Sequence, residues 1–187
     1  QFVSLLVMRS MLSQDGIINV MLKNAGWIQK SLPFFSNVAW ARITVIVVNL
    51  WIGIPYTMMQ VTGILQNIPL ELYEAAEVDG AGPVIRFFKI TLPYMLFVTT
   101  PYLITTFTAN INNFNIVYLL TKGDPVLAGN TAGKTDLLVT WLYKMTVDYQ
   151  YYNLGAVIGI MTFVFLAIGS LLVYRRTKSY KDEEGFQ

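Results

Sequence analysis

The sequence predicts an all-α chain, a polytopic bundle of membrane-crossing helices, and three observations predict it. Of 187 residues, 55% are hydrophobic and only 13% are charged. An ordinary soluble domain carries roughly 25% charged residues, so too few charges are present to coat a water-soluble globule. Second, the stretches Ile43–Leu65, Tyr94–Thr121 and Tyr149–Tyr174 contain no charged residue. Each reaches the length of about 20 residues that a helix needs to cross hydrocarbon. Third, the charges gather in the connections between those stretches. A mean hydropathy of +0.51 also excludes a disordered chain.

The elements follow in order. Phe2–Met8 is apolar but stops at Arg9, too short to span by itself. It reads as the tail of a helix, partial over residues 1–12, in a chain that opens without Met and is expected to be a piece of a longer one. Residues 13–38 place Asp15-Gly16, Asn24, Gly26 and Pro33 around a short amphipathic piece, Ile17–Leu22. The first full span is then expected at 43–65. Residues 66–93 hold Glu71, Glu74, Glu77, Asp79, Arg86 and Lys89, and the second span follows at 94–121. Residues 122–148 open on the Gly123-Asp124-Pro125 turn. They continue with Leu137, Leu138, Trp141, Leu142 and Met145, an apolar stripe that predicts an interfacial helix. The third span, 149–174, leads to a polar tail, 175–187.

Composition excludes several functions. There is no Cys and no His, which removes thiolate and imidazole metal sites, disulfides, and triads that need an imidazole base. No catalytic or metal-ligating set is assigned, and no cofactor is implied. The net charge of +2 makes no case for nucleic acid. No G-x-x-x-x-G-K-[ST] loop is present, so ATP hydrolysis is not expected of this chain. Charge counting leaves the orientation open. Lys and Arg are nearly balanced between the two sides, and Arg175 and Arg176 weigh toward a cytoplasmic tail.

The loop 66–93 has its own internal order. Pro69 suits a first helical position, and Glu71 and Glu74 lie near the positive end of the helix it would start. Gly80-Ala81-Gly82-Pro83 ends that helix, and a second segment, Val84–Leu92, runs toward Pro93. Glu74-Ala75-Ala76, Gly80 four residues on, and Ile90-Thr91-Leu92-Pro93 after nine more form a long pattern with fixed gaps. It resembles the EAA loop of permease subunits in ATP-binding-cassette importers, a MetI-like fold. The resemblance implies that loop 66–93 and the tail are cytoplasmic. It assigns Glu74, Ala75, Ala76, Asp79, Gly80, Ile90, Leu92 and Pro93 to coupling with an ATP-binding subunit dimer. Small Ala75 and Ala76 would admit a partner closely, Gly80 would permit the bend, and Glu74 could pair with a cation across a desolvated contact.

Polar residues also lie inside the spans. Thr106, Asn110, Asn113 and Val117 would share one face of a continuous second helix. Asn49, Gly53, Tyr56 and Gln60 would share one face of the first, with Gly53 and Pro55 expected to kink it. Amides are costly in hydrocarbon unless they face protein or a wet cavity. Two uses compete: hydrogen bonding between helices, and a surface for a polyhydroxylated solute. No residue of either stripe is ionisable at neutral pH, which favours an uncharged solute over an ion or proton path.

Asn112 to Thr121, Ala132 to Trp141 and Asn49 to Tyr56, together with the Glu-Glu-Gly-Phe-Gln end, sharpen the likeness. They resemble the larger membrane subunit of maltose/maltodextrin importers, particularly those of Gram-positive bacteria. The resemblance implies sugar contacts at Asn49, Ile52, Gly53, Tyr56, Thr106, Asn110 and Asn113. It implies a second permease subunit, a sugar-binding protein docking outside at loops 13–38 and 122–148, and a place in the bacterial plasma membrane. The sequence departs from that pattern at Ala109, where the best-studied relative has an aromatic residue, and at Asp124, where Gly is common in the family. The same family carrying a different sugar is the nearest alternative. An ion-coupled carrier would need ionisable groups in the spans, and a bare membrane anchor would need no solute path.

Two further features carry structural expectations. Gly155 and Gly159 form a GxxxG pair suited to close helix packing. Tyr149, Tyr151 and Tyr152, with Trp40, Trp141 and Tyr143, are expected at the membrane–water boundary.

Overall fold

The structure, a computed structural model, describes residues 1–175. The expected polar tail lies outside the described residues except for Arg175, which ends the last helix. The described residues form helices joined by irregular connections, with one isolated antiparallel bridge between Val126 and Gly133. Three segments are long and apolar enough to cross a membrane: Val38–Leu65, Pro83–Leu120 and Tyr152–Arg175.

The helices are α1 (Phe2–Met11), α2 (Ile17–Asn24), α3 (Val38–Leu65), α4 (Leu70–Val78), α5 (Pro83–Arg86), α6 (Leu92–Ile111), α7 (Phe114–Leu120), α8 (Leu138–Tyr143) and α9 (Tyr152–Arg175). π-helical turns at Phe87–Thr91 and Lys144–Asp148 continue α5 and α8. The residues divide into two compact units, 1–53 with 110–165, and 54–109 with the end of α9 from Leu166.

The first unit is built around α1, the first half of α3 and α7. Leu5, Val48, Ile116, Val117 and Leu120 form its buried core, flanked by Met8, Leu12, Phe35 and Val45. Asn37 caps α3, its Oδ1 accepting the N–H of Ala39 at 3.0 Å and of Trp40 at 3.3 Å. This cap starts α3 five residues before the expected Ile43, and Arg42 is accommodated by donating from Nε to the Lys134 carbonyl at 3.1 Å. Further along, Gly155 of α9 packs on Thr146 of the π-turn, and Gly159 packs on Leu142 of α8. The GxxxG pair therefore serves close packing, as its spacing predicts. Tyr149 and Tyr151 stand exposed just before α9, their rings stacked at 6.1 Å. Tyr143 packs with Phe114 and Tyr118 at centroid distances of 5.1 Å. Its hydrogen bond with Tyr118, followed by that neighbour's charge, pushes its phenol pKa above the ordinary value.

The second unit contains loop 66–93 and the helices on either side of it. Pro69 is the cap of α4 and not its first residue, and α4 runs from Leu70. Gly80, at φ +74°, ends the helix in a Schellman arrangement: its N–H bonds to the Glu77 carbonyl at 3.0 Å and that of Ala81 to Ala76 at 2.8 Å. From Pro83 the backbone stays helical through the π-turn into α6. Pro93 supplies a reason, because its ring crowds the carbonyl four residues back and offers no N–H, and widening the preceding turn accommodates both.

The second span also departs from expectation, since Tyr94–Thr121 is not one helix. α6 ends at Ile111, and Asn113, at φ −76° and ψ 78°, caps α7 through its Oδ1 to the Ile116 N–H at 3.3 Å. Asn side chains compete with helical hydrogen bonding, and four of them in residues 110–115 break the helix here. α3, by contrast, continues through Gly53 and Pro55.

Candidate functional site

The break between α6 and α7 brings three of the expected site residues together. Asn49 Nδ2 donates to Asn110 Oδ1 at 2.9 Å, and Asn113 Nδ2 donates to Asn49 Oδ1 at 3.2 Å. This chain of amides joins α3 to both sides of the break. A continuous helix would have set Asn110 and Asn113 on one face. The observed cap turns Asn113 toward Asn49 by a different route, so the residues meet although the helical argument for it does not hold.

The other expected contacts take separate places. Ile52 is partly buried against the Leu5–Leu120 core. Gly53, one turn beyond Asn49 on α3, leaves open space where a Cβ would stand. Tyr56 is exposed on the same helix, and Thr106 is partly buried on α6 one turn before Asn110. Asn112 and Asn115 are exposed at the break. The hydrogen-bonding groups named here are amides, a hydroxyl and a phenol. Such groups both donate and accept, which suits a neutral, hydroxyl-rich ligand.

The residues expected to couple form an exposed knob. Glu74, Ala75, Asp79, Gly80 and Pro93 are exposed, and Ala76, Ile90 and Leu92 are half-buried. Val78 at the end of α4 is an apolar side chain, 89% exposed among the described residues. Two links that sequence reading missed hold α4 to the helix after it. Tyr73 OH and Thr91 Oγ1 are 2.8 Å apart, and Arg86 Nη1 donates to Glu77 Oε2 at 3.1 Å. Tyr94 OH adds a long bond to the Asn67 carbonyl at 3.5 Å. The knob and the start of the span are thus tied by side chains at three points.

Sequence reading also missed the polar centre of loop 122–148. Asp136, whose side chain is 3% exposed, accepts from Lys144 Nζ and the Gly133 N–H, each at 2.7 Å, and from Thr140 Oγ1 at 2.9 Å. The hydroxyls of Thr121 and Thr135 meet at 2.8 Å beside it in the fold, and Thr135 donates to the Asp124 carbonyl at 2.7 Å. Asp136, Thr140 and Lys144 at i, i+4 and i+8 form a readable helical row, the signal that could have found them. Loops 13–38 and 122–148 enclose a cleft of about 430 Å³ lined by Leu12, Leu32, Phe34, Phe35, Asp124 and Val126, none of them an expected sugar contact.

Comparison with known proteins gives a consistent picture. Residues 2–179 match the family described as binding-protein-dependent transport system inner membrane component. The galactooligosaccharides transport system permease protein GanP of Bacillus subtilis (strain 168) is 44% identical over 152 residues, covering 81% of this chain and 36% of GanP. The maltodextrin transport system permease protein MdxF of the same organism is 44% identical over 147 residues, covering 78% and 34%. The maltose/maltodextrin transport system permease protein MalF of Escherichia coli (strain K12) is 41% identical over 178 residues, covering 92% and 34%. The chain thus spans about a third of the length of these relatives.

Two crystal structures share the fold. One is a bacterial ABC transporter involved in the import of the acidic polysaccharide alginate, with TM-score 0.75 and 23% identity over 94% of this chain and 61% of that one. The other is a bacterial alginate ABC transporter in complex with an alginate pentasaccharide-bound periplasmic protein, with TM-score 0.77 and 22% identity over 94% and 59%.

Proposed function

The chain belongs to the family of binding-protein-dependent transport system inner membrane components, and from that premise we propose that it is part of the membrane-spanning subunit of an ATP-driven importer of neutral, maltodextrin-type oligosaccharides. The observation that carries the solute reading is the amide chain Asn49–Asn110–Asn113, set on apolar helices with no ionisable side chain in it. Sugar hydroxyls can replace amide–amide hydrogen bonds one for one, so a solute could enter without stranding a polar group. Asn49, Ile52, Gly53, Tyr56, Thr106, Asn110 and Asn113 are the proposed sugar contacts. The names of the relatives, which specify galactooligosaccharides, maltodextrin and maltose, support this solute class.

Coupling is assigned to the knob at residues 66–93, on the cytoplasmic side, with Glu74, Ala75, Ala76, Asp79, Gly80, Ile90, Leu92 and Pro93 at or beside the contact with an ATP-binding subunit dimer. The uncovered Val78 and the three side-chain links behind it support this, since a rigid projection with an apolar tip can carry a partner's motion into the spans. A second permease subunit completes the pathway. An extracellular sugar-binding protein docks on loops 13–38 and 122–148.

Transport competition in the whole complex tests the assignment. Unlabelled maltodextrins are expected to suppress uptake of labelled maltotriose at lower concentration than galactooligosaccharides or an acidic oligosaccharide. Suppression by the acidic sugar alone would overturn the neutral-solute reading. Glu74→Lys is expected to abolish uptake, and normal uptake in that variant would overturn the coupling assignment. The mutual hydrogen bonds of the three Asn residues favour a second reading, a purely structural tie between helices. Asn110→Ala that lowers thermal stability but leaves the sugar KM unchanged would establish that one instead.

A further inference from the structure

α2 is fixed to the protein along one face. Asn19 is fully buried, its Nδ2 donating to the carbonyls of Ser13 at 3.0 Å and Leu32 at 3.3 Å, and its Oδ1 accepting the Leu32 N–H at 2.8 Å. Both ends of the amide are committed to backbone, which sets the rotation of the helix about its axis. At 100° per residue the opposite face carries Ile17 and Met21, with Val20 beside them. These are 52%, 63% and 41% exposed. Gly26, at φ +75°, then ends α2 with Gly26 N–H to the Lys23 carbonyl at 3.0 Å and Trp27 N–H to Leu22 at 3.1 Å. The chain turns so that Trp27 is 80% exposed.

Four large apolar side chains therefore point away from the protein on a segment that buries Asn19 and exposes Lys23 and Asn24. Such a face exposed to water would be unfavourable, so the surface calls for an occupant. Charge identifies it. Lys23 and Lys30 flank the apolar residues and are exposed, and Asp15 is the only acid in residues 12–36. Lys23 lies on the side of α2 away from Met21, where helices that rest on a bilayer carry their cations. Position agrees. α2 starts where α1 ends, and α3, which is long enough to cross a membrane, starts soon after the loop closes. On α1, Phe2, Val3 and Val7 are exposed as well.

We propose that α2 and Trp27 form a membrane-interface anchor. Ile17, Val20, Met21 and Trp27 enter the boundary between headgroups and acyl chains, and Lys23 and Lys30 reach anionic headgroups. Trp at that depth keeps its ring in apolar surroundings and its N–H in the wet layer. The anchor sets the depth of the α1–α3 connection, and Asn19 transmits that setting to the loop.

The test uses spin labels on the full permease with its partner subunits, in nanodiscs of phosphatidylcholine with or without phosphatidylglycerol. The 187 residues contain no Cys, so Ile17→Cys, Met21→Cys and the reference Asp15→Cys each introduce a defined labelling site once any cysteine elsewhere in the complex is replaced. At 17 and 21 the label is expected to be more accessible to oxygen than to a water-soluble nickel chelate, with the reverse at 15. Adding phosphatidylglycerol should move both labels deeper, and Lys23→Gln with Lys30→Gln should abolish that shift. Nickel accessibility at 17 and 21 equal to that at 15 would overturn the anchor in favour of a water-facing loop. Shielding from both reagents would overturn it in favour of a protein partner. Depth independent of phosphatidylglycerol would overturn the anionic-headgroup assignment. Agreement between Ile17→Cys and Met21→Cys guards against either substitution disturbing the helix.

Discussion

Asn49 and Asn110 are 61 residues apart in sequence, and the Nδ2 of the first donates to the Oδ1 of the second at 2.9 Å. Asn113 closes on Asn49 from the other side of the helix break. An amide in hydrocarbon needs such partners, and a solute that supplies hydroxyls can substitute for them. Asn49→Leu or Asn110→Ala in the whole transporter is therefore expected to raise the sugar KM by roughly three- to tenfold, the equivalent of about one lost neutral hydrogen bond. Uptake kinetics at saturating and limiting sugar would show it.

Gly80 presents a separate test, because backbone conformation and space can be told apart there. Its φ of +74° is strained for most side chains, yet a Cβ would meet nothing. Gly80→Ala should cost about 1 kcal/mol through backbone strain alone. Gly80→Asn should cost less, since Asn tolerates the left-handed region. Thermal unfolding of the detergent-solubilised complex, with uptake per ATP hydrolysed, is the measurement. Equal losses for Ala and Asn would point to a partner surface at Gly80 instead of strain.

Asp136 and Lys144 form a pair with side chains 3% and 13% exposed. Removing one partner leaves the other charge buried and without its counterion. Asp136→Ala is expected to destabilise the protein by about 3 kcal/mol, in the range found when buried pairs are broken. Replacing both by apolar residues should restore much of it, because no uncompensated charge remains. A melting curve for each single variant and for the double variant decides this.

Gly155 lies against Thr146, and a Cβ there would collide with the Thr methyl. Gly155→Ala should destabilise by about 1–3 kcal/mol as an overpacking change. Thr146→Ala in the same chain should recover part of that loss, with thermal stability as the readout. Among the described residues the hydroxyl of Thr146 bonds locally, to the Leu142 and Tyr143 carbonyls at 3.0 Å, so its removal sacrifices little else.

Much of this protein could be read without coordinates. Long charge-free stretches leave few alternatives to membrane helices, because their composition alone states which solvent they suit. The glycine bend at Gly80 was legible because a left-handed residue is a local property of the chain. Gly155 and Gly159 announced close packing by spacing, although not the surface they meet. The family resemblance was carried by fixed gaps within loop 66–93, again a linear feature.

Other points were settled only by tertiary structure. Periodicity could not show that the helix carrying Asn110 stops before Asn113, because the choice between helix and cap depends on what the amide finds nearby. The packing of Tyr143 with Phe114 and Tyr118 left no mark in the sequence. The tie Tyr73–Thr91 and the burial of Asn19 were equally out of reach. The sequence by itself determined the class of solvent, the segments long and apolar enough to cross a membrane, and the bends of single residues, since those follow from local composition and backbone freedom. The partner of each polar side chain was decided by folding, because hydrogen bonds between distant residues are satisfied in space and leave no period in the chain.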